Sequence, residues 1–407
     1  MNVFQIAWRN IQRNRRRSLL SVLAVLLVST VLVVGFSVLE GVKRDTIYNS
    51  QSFTSGSLRI INPLYEKNKS LSPLHLNLPG ARDRTLWAES QVGVDGVAPR
   101  IMFGSSITRG EKLYLAQGWG ADLAREEKFS KISSYLVEGR LPASGEGVKE
   151  AAMGYLLAKS LGIKVGDKFT FLTATVTSTN MVTLKVVGIM NFPVGPMNQR
   201  LSIIPLDRAQ YFLRMDDAVL EILVKTKSGV NPDTLAATWN GELKTTGLEA
   251  QSWTQASLVY TMTQFVDIIF TIIGVLFILL GSAVVVNTTM MVIFERKKEI
   301  GTLTALGMSE GSLVLLFLVE AAYLAFFGTT IGVIFGSGIA GILSVVGVDF
   351  SGISQGIDME FPSVMHPLLN LRSVVATWGM IFSLSVLASL IPSTMVTRLD
   401  PIEALRD

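Results

Sequence analysis

Hydrophobic positions along this chain collect in four long runs. Between the first two, the pattern changes to short alternating segments bounded by turn residues. The first run, Leu19 to Leu39, carries no charge, and as a helix rising about 1.5 Å per residue it is long enough to cross a hydrocarbon core of about 30 Å. Uncharged runs follow from Ile268 to Phe294, from Gly311 to Val348 with Glu320 as an interruption, and from Ser373 to Thr397, which contains Pro392. Each predicts a transmembrane helix. Arg15, Arg16 and Arg17 resemble the charged start of a signal peptide. The apolar run behind them is too long for one, however, and Glu40 and Lys43 stand where a small-residue cleavage site belongs, so the segment is expected to stay as an anchor.

Orientation follows from basic residues in short flanks. Arg9, Arg13, Arg15, Arg16 and Arg17 precede the first span, Arg296, Lys297 and Lys298 follow the second, and Arg398 and Arg406 follow the fourth. The loop between spans three and four sets Asp349, Asp358 and Glu360 against Arg372. Both termini are therefore expected in the cytoplasm, with residues of about 42–262 outside as one large domain. Residues 1–41 form an interfacial helix and the first span, and 263–407 hold the other three spans and a cytoplasmic loop.

Inside the outer region, strands are expected at Ser57 to Ile61, Lys168 to Thr175, Thr183 to Ile189, Leu201 to Ile204 and Leu220 to Lys225, each rich in β-branched or aromatic residues. Helices are expected at Ala151 to Ser160 and Asp207 to Leu213. This order, without strict alternation, predicts an α+β domain, in one lobe or two. Ser252 and Gln255 have capping-box spacing, which predicts a helix running from Trp253 into the second span. The first span lacks a breaker beyond Leu39 except Gly41, so two extended, stalk-like helices are expected. They either carry a displacement or act as passive spacers.

Three smaller features carry candidate chemistry. Val3, Phe4, Ala7, Trp8 and Ile11 recur at three- and four-residue steps, predicting a helix over residues 2–14 on the membrane surface. After the second span, Glu299, Ile300, Gly301, Leu303, Ala305, Leu306 and Gly307 form a short inner loop. As a helix ended by Gly307, it presents Ile300, Leu303 and Leu306 as an apolar stripe that packs under the chain's own helix ends or awaits a partner. In the third span, Gly328, Gly332 and Gly336 at four-residue steps predict close helix packing, within the chain or across a dimer. Glu320 lies in that span, where a charge is costly unless paired or wet. It is expected to bond a neighbouring helix, with a proton relay as the alternative.

Composition agrees with a membrane protein and removes several chemistries. Of 407 residues, 49% are hydrophobic and 17% charged, with a mean hydropathy of +0.44, against about 25% charged in soluble domains. Lys and Arg number 36 and Asp and Glu 32, for a net charge of +4. The basic residues form a few clusters, so nucleic acid is not an expected partner. Cysteine is absent, which excludes disulfides, thiolate catalysis, thiolate zinc sites and cysteine-linked lipid anchors. His75 and His366 alone leave little for an imidazole metal site or a Ser-His-Asp triad. The chain has no Gly-x-x-x-x-Gly-Lys-Ser/Thr loop and none of the common hydrolase, metalloprotease or dinucleotide motifs. No catalytic residue, metal or cofactor is expected in it, and ATP, if used, is bound elsewhere.

Several stretches together carry a resemblance. They are Ile6 to Asn10 with the following arginines, Glu299-Ile300-Gly301 through Ala305-Leu306-Gly307, Glu320 with the glycine series, and Asp400 to Leu405. In the outer region they are Glu138-Gly139-Arg140, Leu161-Gly162, Val165-Gly166-Asp167 and Ile204 to Gln210. The chain resembles the permease subunits of the macrolide-exporter and lipoprotein-release group of ABC transporters. The resemblance implies an inner-membrane permease that pairs with a second permease above a dimeric ATPase holding ATP and Mg. It also implies that Glu299 to Gly307 is the coupling helix seated on that ATPase. ATP-driven closure then moves the outer domains by mechanotransmission and expels an amphiphilic substrate, foremost a lipoprotein, with or without a periplasmic carrier or adaptor. The segment Ala174 to Met181 is short and lacks the proline-rich insert that hooks the soluble carrier in one lipoprotein-release subunit. The competing functions are efflux of drugs or peptides, regulation of a cell-wall hydrolase as in the division-associated members, and a membrane-anchored enzyme or receptor.

Overall fold

The computed structural model of the chain describes residues 3–69, 72–109, 112–256, 258–349 and 364–395. The expected features at Asp358, Glu360, Arg398, Arg406 and Asp400 to Leu405 lie outside the described residues. The chain divides into two compact units, a helical one of Met1–Lys43, Gln264–Val348 and Met365–Asp407, and one built mainly of Arg44–Thr263.

Among the described residues, four helices are long and apolar enough to cross a membrane: Arg15–Phe53, Tyr260–Glu295, Glu310–Val346 and Leu371–Met395. The first has 39 residues and continues past Leu39 through Gly41 to Phe53, as expected from the lack of a breaker. It contributes to the core of the helical unit. Val25 and Leu32 on it share one buried cluster with Ile278 and Val285 of the second span, Ala321 of the third and Ile381 of the fourth. Side-chain burial alone does not explain how closely the first and third spans approach. A Cβ added at Gly332 would lie 2.5 Å from the Leu26 carbonyl oxygen, and one at Gly328 would lie 2.7 Å from Val25 Cβ. At Gly336 it would meet the Thr30 carbonyl oxygen at 3.0 Å. Missing side chains thus let two backbones touch, and Thr30 Oγ1 donates across the seam to the Gly332 carbonyl at 3.1 Å. The glycine face is used inside the chain.

At the other end of the first span, a strap follows the strand Val364–Met365. The Leu368 N–H donates to the Ser37 carbonyl at 2.8 Å, and a Cβ at Gly41 would stand 2.2 Å from the His366 carbonyl oxygen. Lys43 Nζ lies 2.6 Å from Asp267 Oδ1 of the second span.

The second unit is α+β. Its strands are β1 Leu58–Ile61, β2 Leu78–Pro79, β3 Val94–Arg109, β4 Lys112–Ala121, β5 Leu136–Gly139, β6 Glu150–Gly154, β7 Lys168–Ala174, β8 Thr179–Met190, β9 Leu201–Pro205, β10 Ala218–Val219, β11 Glu221–Thr226 and β12 Glu249–Ser252. Ten of them form one sheet in the order β12-β1-β11-β3-β4-β9-β6-β8-β5, with β7 pairing β3 and β8, while β2 and β10 pair separately. Most neighbours are antiparallel, but β4 with β9 and β6 with β8 are parallel. The helices Ala81–Ser90, Leu206–Leu213 and Pro232–Leu243 supply Ala88, Phe212 and Trp239 to the main apolar core.

The structure corrects three expectations here. Ala151 to Ser160 is not one helix, because Glu150–Gly154 is a strand and the helix begins at Tyr155. The small side chains Ala151 and Ala152 are fully buried in the sheet between β8 and β9, a tertiary setting that overrides their helix propensity. The long strands β3 and β4 have no counterpart among the expected strands, and Gly96, Pro99, Gly104 and the Ser105-Ser106 pair interrupt the alternation there. In β4, Gly118 is needed for packing, because a Cβ there would overlap the Phe103 ring. Finally, Ser252 closes β12, and its hydroxyl donates to Asp233 Oδ1 rather than capping a helix. Helices follow at Trp253–Ala256 and Leu258–Glu295.

Candidate functional site

One end of the helical unit brings together three elements far apart in sequence. The first is the amphipathic helix Val3–Arg13, with Ala7 and Asn10 buried. Its apolar stripe packs on the third span, where Ala7 joins Leu316 and Val319. Trp8 meets the Tyr323 ring edge-on at 5.6 Å and the Phe327 ring at 5.7 Å. The second is the loop helix Lys297–Ala305. Gly307, at φ +91°, sits in the left-handed region just beyond it, and the Met308 N–H returns to the Leu303 carbonyl at 3.0 Å. The third is the spanning helix Glu310–Val346, which carries Glu320.

The apolar stripe of the loop helix divides. Ile300 is buried with Ile293, Leu313 and Phe317, and Leu303 is half-buried against the same cluster. Gly301 is also buried, whereas Ala305, Gly307 and Leu306 are exposed, Leu306 at 79%. One side of the stripe therefore anchors the helix to the chain's own spans, and Leu306 is left at the surface.

A polar clasp joins the three elements. Glu320, buried in the third span, accepts from Asn10 Nδ2 of the amphipathic helix and from Arg296 Nη1 at 3.3 Å. Arg296 Nη2 donates to Asn10 Oδ1 at 2.8 Å, and its Nε donates to Glu299 Oε2 at 2.7 Å. Arg13 Nη2 reaches both Glu299 oxygens at 2.7 and 2.8 Å. Alongside, Arg17 of the first span pairs with Glu295 of the second. One guanidinium, Arg296, thus holds a buried acid, a buried amide and a surface acid together, which its planar fork of donors permits and an ammonium would not. The expectation that Glu320 bonds a neighbouring helix matches this geometry.

Asn10, Arg13 and Arg296 are site residues that sequence reasoning misses. The two arginines carry information there only about orientation, although an intramembrane acid demands a donor, and Arg296 is the nearest basic residue at the loop's entry. Burial pushes the Glu299 carboxyl up, but hydrogen bonds from Arg13 and Arg296 outweigh it and hold the group below the usual carboxylate range. A depressed folded-state value means that the stabilisation is present above the unfolded value of about 4.3 and is lost as pH falls through the folded one. Thermal melts of the parent and Glu299→Gln should therefore differ at pH 7 and draw together as pH falls below about 4. A gap that does not narrow at all on acidification would reject the ionic part of the clasp.

Comparison with known proteins locates these features in two family models. A MacB-like periplasmic core domain matches residues 18–240, and an FtsX-like permease C-terminal region matches residues 271–401. The lipoprotein-releasing system transmembrane protein LolC of Neisseria meningitidis is 24% identical over 337 residues, covering 80% of this chain and 81% of that one. LolE of Haemophilus influenzae is 24% identical over 434 residues, covering 99% and 98%. The macrolide export ATP-binding/permease protein MacB 2 of Aeromonas hydrophila is 29% identical over 145 residues, covering 36% and 20%. Among solved structures, the periplasmic region of MacB from Actinobacillus actinomycetemcomitans is 13% identical, with a TM-score of 0.37, covering 55% of this chain and 98% of that one.

Proposed function

We infer the function from the family to which the chain belongs, the permeases with a MacB-like periplasmic core domain, here followed by an FtsX-like C-terminal region. The chain is a multi-pass inner-membrane subunit of an ABC transporter that moves lipoproteins out of the membrane. ATP and Mg are bound by a separate ATPase dimer. A second permease, identical or related, completes the membrane part, both termini lie in the cytoplasm, and residues of about 42–262 lie outside.

The observation that carries this reading is the loop helix, anchored on one side by Ile300 and Leu303 and exposed at Leu306. A free apolar tip on a held helix suits insertion into a groove of a partner. Movement of that partner would pass through the clasp to the amphipathic helix and third span together, and through the glycine seam to the first span, because packed helices move as bodies. The outer domain would then squeeze an acylated substrate from the outer leaflet. The turn between β7 and β8 is closed tightly, with the Thr175 N–H on the Ser178 carbonyl at 2.6 Å. This favours loading of any soluble carrier by another subunit.

The test is reconstitution with the ATPase. Acylated lipoprotein is expected to stimulate hydrolysis and to leave the vesicle, whereas stimulation by macrolides or peptides alone would move the assignment to efflux. Leu306→Asp should abolish that stimulation without lowering the melting temperature, since the side chain is already in water. Leu303→Asp is a poor probe of the same contact, because it buries part of a charge and costs about 2 kcal/mol of stability. Full stimulation by Leu306→Asp would reject the coupling role.

A further inference from the structure

The last carbonyls of a helix have no intrahelical donor. In the first spanning helix, which ends at Phe53, the last two are taken by a buried arginine. Arg100 on β3 is 1% exposed. It donates Nη1 to the Phe53 carbonyl and Nη2 to the Ser52 carbonyl, each at 2.7 Å. Glu126, wholly buried on the helix Leu123–Ser130, grips the same guanidinium through Nε–Oε1 at 2.6 Å and Nη2–Oε2 at 2.8 Å. The Trp119 and Phe129 rings cover it at 4.7 and 5.4 Å. The Phe53 side chain is plugged beside it among Tyr135, Phe192 and Trp119, with ring centroids at 5.4, 5.8 and 6.5 Å. The approach to the second span has no comparable socket among the described residues. Before it, the hydroxyls of Ser252 and Thr254 bond one exposed carboxylate, Asp233.

We propose that Arg100 is the positioning residue through which displacement of the first spanning helix enters the outer unit, a step that rests on the transport reading above. A cation at the negative end of the helix dipole, fixed bidentately by a buried acid and caged by two rings, cannot slip without leaving charges unpaired in a dry site. The end of the first helix is therefore held in the outer unit by a buried charged grip.

Arg100→Lys tests this, because an ammonium keeps the charge but cannot serve Glu126 and two carbonyls in one plane. The cysteine-free chain permits paired labels in the full permease with its ATPase. Leu27→Cys with Leu280→Cys reports the membrane half, and Val92→Cys with Leu280→Cys reports the outer unit. Nucleotide trapping should shift both distances in the parent. In Arg100→Lys the first shift should remain and the second should shrink, with lipoprotein released per ATP falling about tenfold, the scale of single-residue effects on coupling. Glu126→Gln, which loosens the same grip, should move both readouts in the same direction and replaces Arg100→Lys if that variant does not fold. An unchanged outer shift with unchanged release per ATP in a folded variant overturns the proposal. Absence of any nucleotide-dependent shift in the parent overturns the transport reading, and the proposal with it.

Discussion

Gly332→Leu is expected to lower the stability of the purified permease by roughly 3 kcal/mol, the upper end of what overpacking costs, and to impair its assembly. Even a lone Cβ at this position would stand 2.5 Å from the Leu26 carbonyl oxygen and 2.7 Å from Ser29 Cβ. One of these is backbone, so no rotamer change relieves the clash, and the first span must be pushed away. That separation would also break the Thr30 to Gly332 hydrogen bond and loosen the buried cluster around Val25. Gly338 lies on the same helix, where an added Cβ would meet nothing within 4 Å, and Gly338→Leu is the matched control. Thermal melts and size-exclusion profiles of both variants decide the matter. A Gly332→Leu protein that melts and elutes like the parent would show that the seam is not what holds these helices.

Glu320→Ala should cost about 3 kcal/mol, near the lower end for breaking a buried pair, because Arg296 keeps Glu299 while Asn10 loses its acceptor. The greater effect should fall on transport, since the amphipathic helix, the loop helix and the third span would no longer be tied at one point. Glu320→Gln separates two roles. Its amide oxygen still accepts from Asn10 and Arg296, so a clasp retains most lipoprotein release, whereas a proton relay would lose it. Release assays on Gln and Ala variants, with melts beside them, read this directly. Equal and complete inactivation of both, at parental stability, would favour proton transfer over the clasp.

The membrane half was legible because the bilayer is a severe solvent. It forces apolar runs of fixed length, makes an intramembrane acid conspicuous, and leaves glycine at helical spacing with few uses. The outer unit was less legible, and for a local reason. Strands such as β3 are built where Phe103 and Ile107 find partners distant in sequence, while the intervening Gly104, Ser105 and Ser106 look like a turn. Ala151 and Ala152 favour helix in isolation, and the sheet places them otherwise. In the loop helix, periodicity set Ile300, Leu303 and Leu306 in one stripe, whereas the helix ends at Ala305 and Leu306 stands exposed beyond it. Periodicity could not tell which would be covered, because Leu313 and Phe317, which cover Ile300, come from the next span. Arg100 gave no usable signal: it interrupts the apolar stretch Val97 to Phe103, but its partners Glu126, Ser52 and Phe53 are distant in sequence and nothing local points to them.

The strap over Gly41 limits the freedom of the first spanning helix. With its Ser37 carbonyl tied to Leu368, its Gly41 pressed against His366 and its Lys43 keyed to Asp267, the rod is fastened over a stretch of about 9 Å. It cannot spin about its own axis without breaking all three.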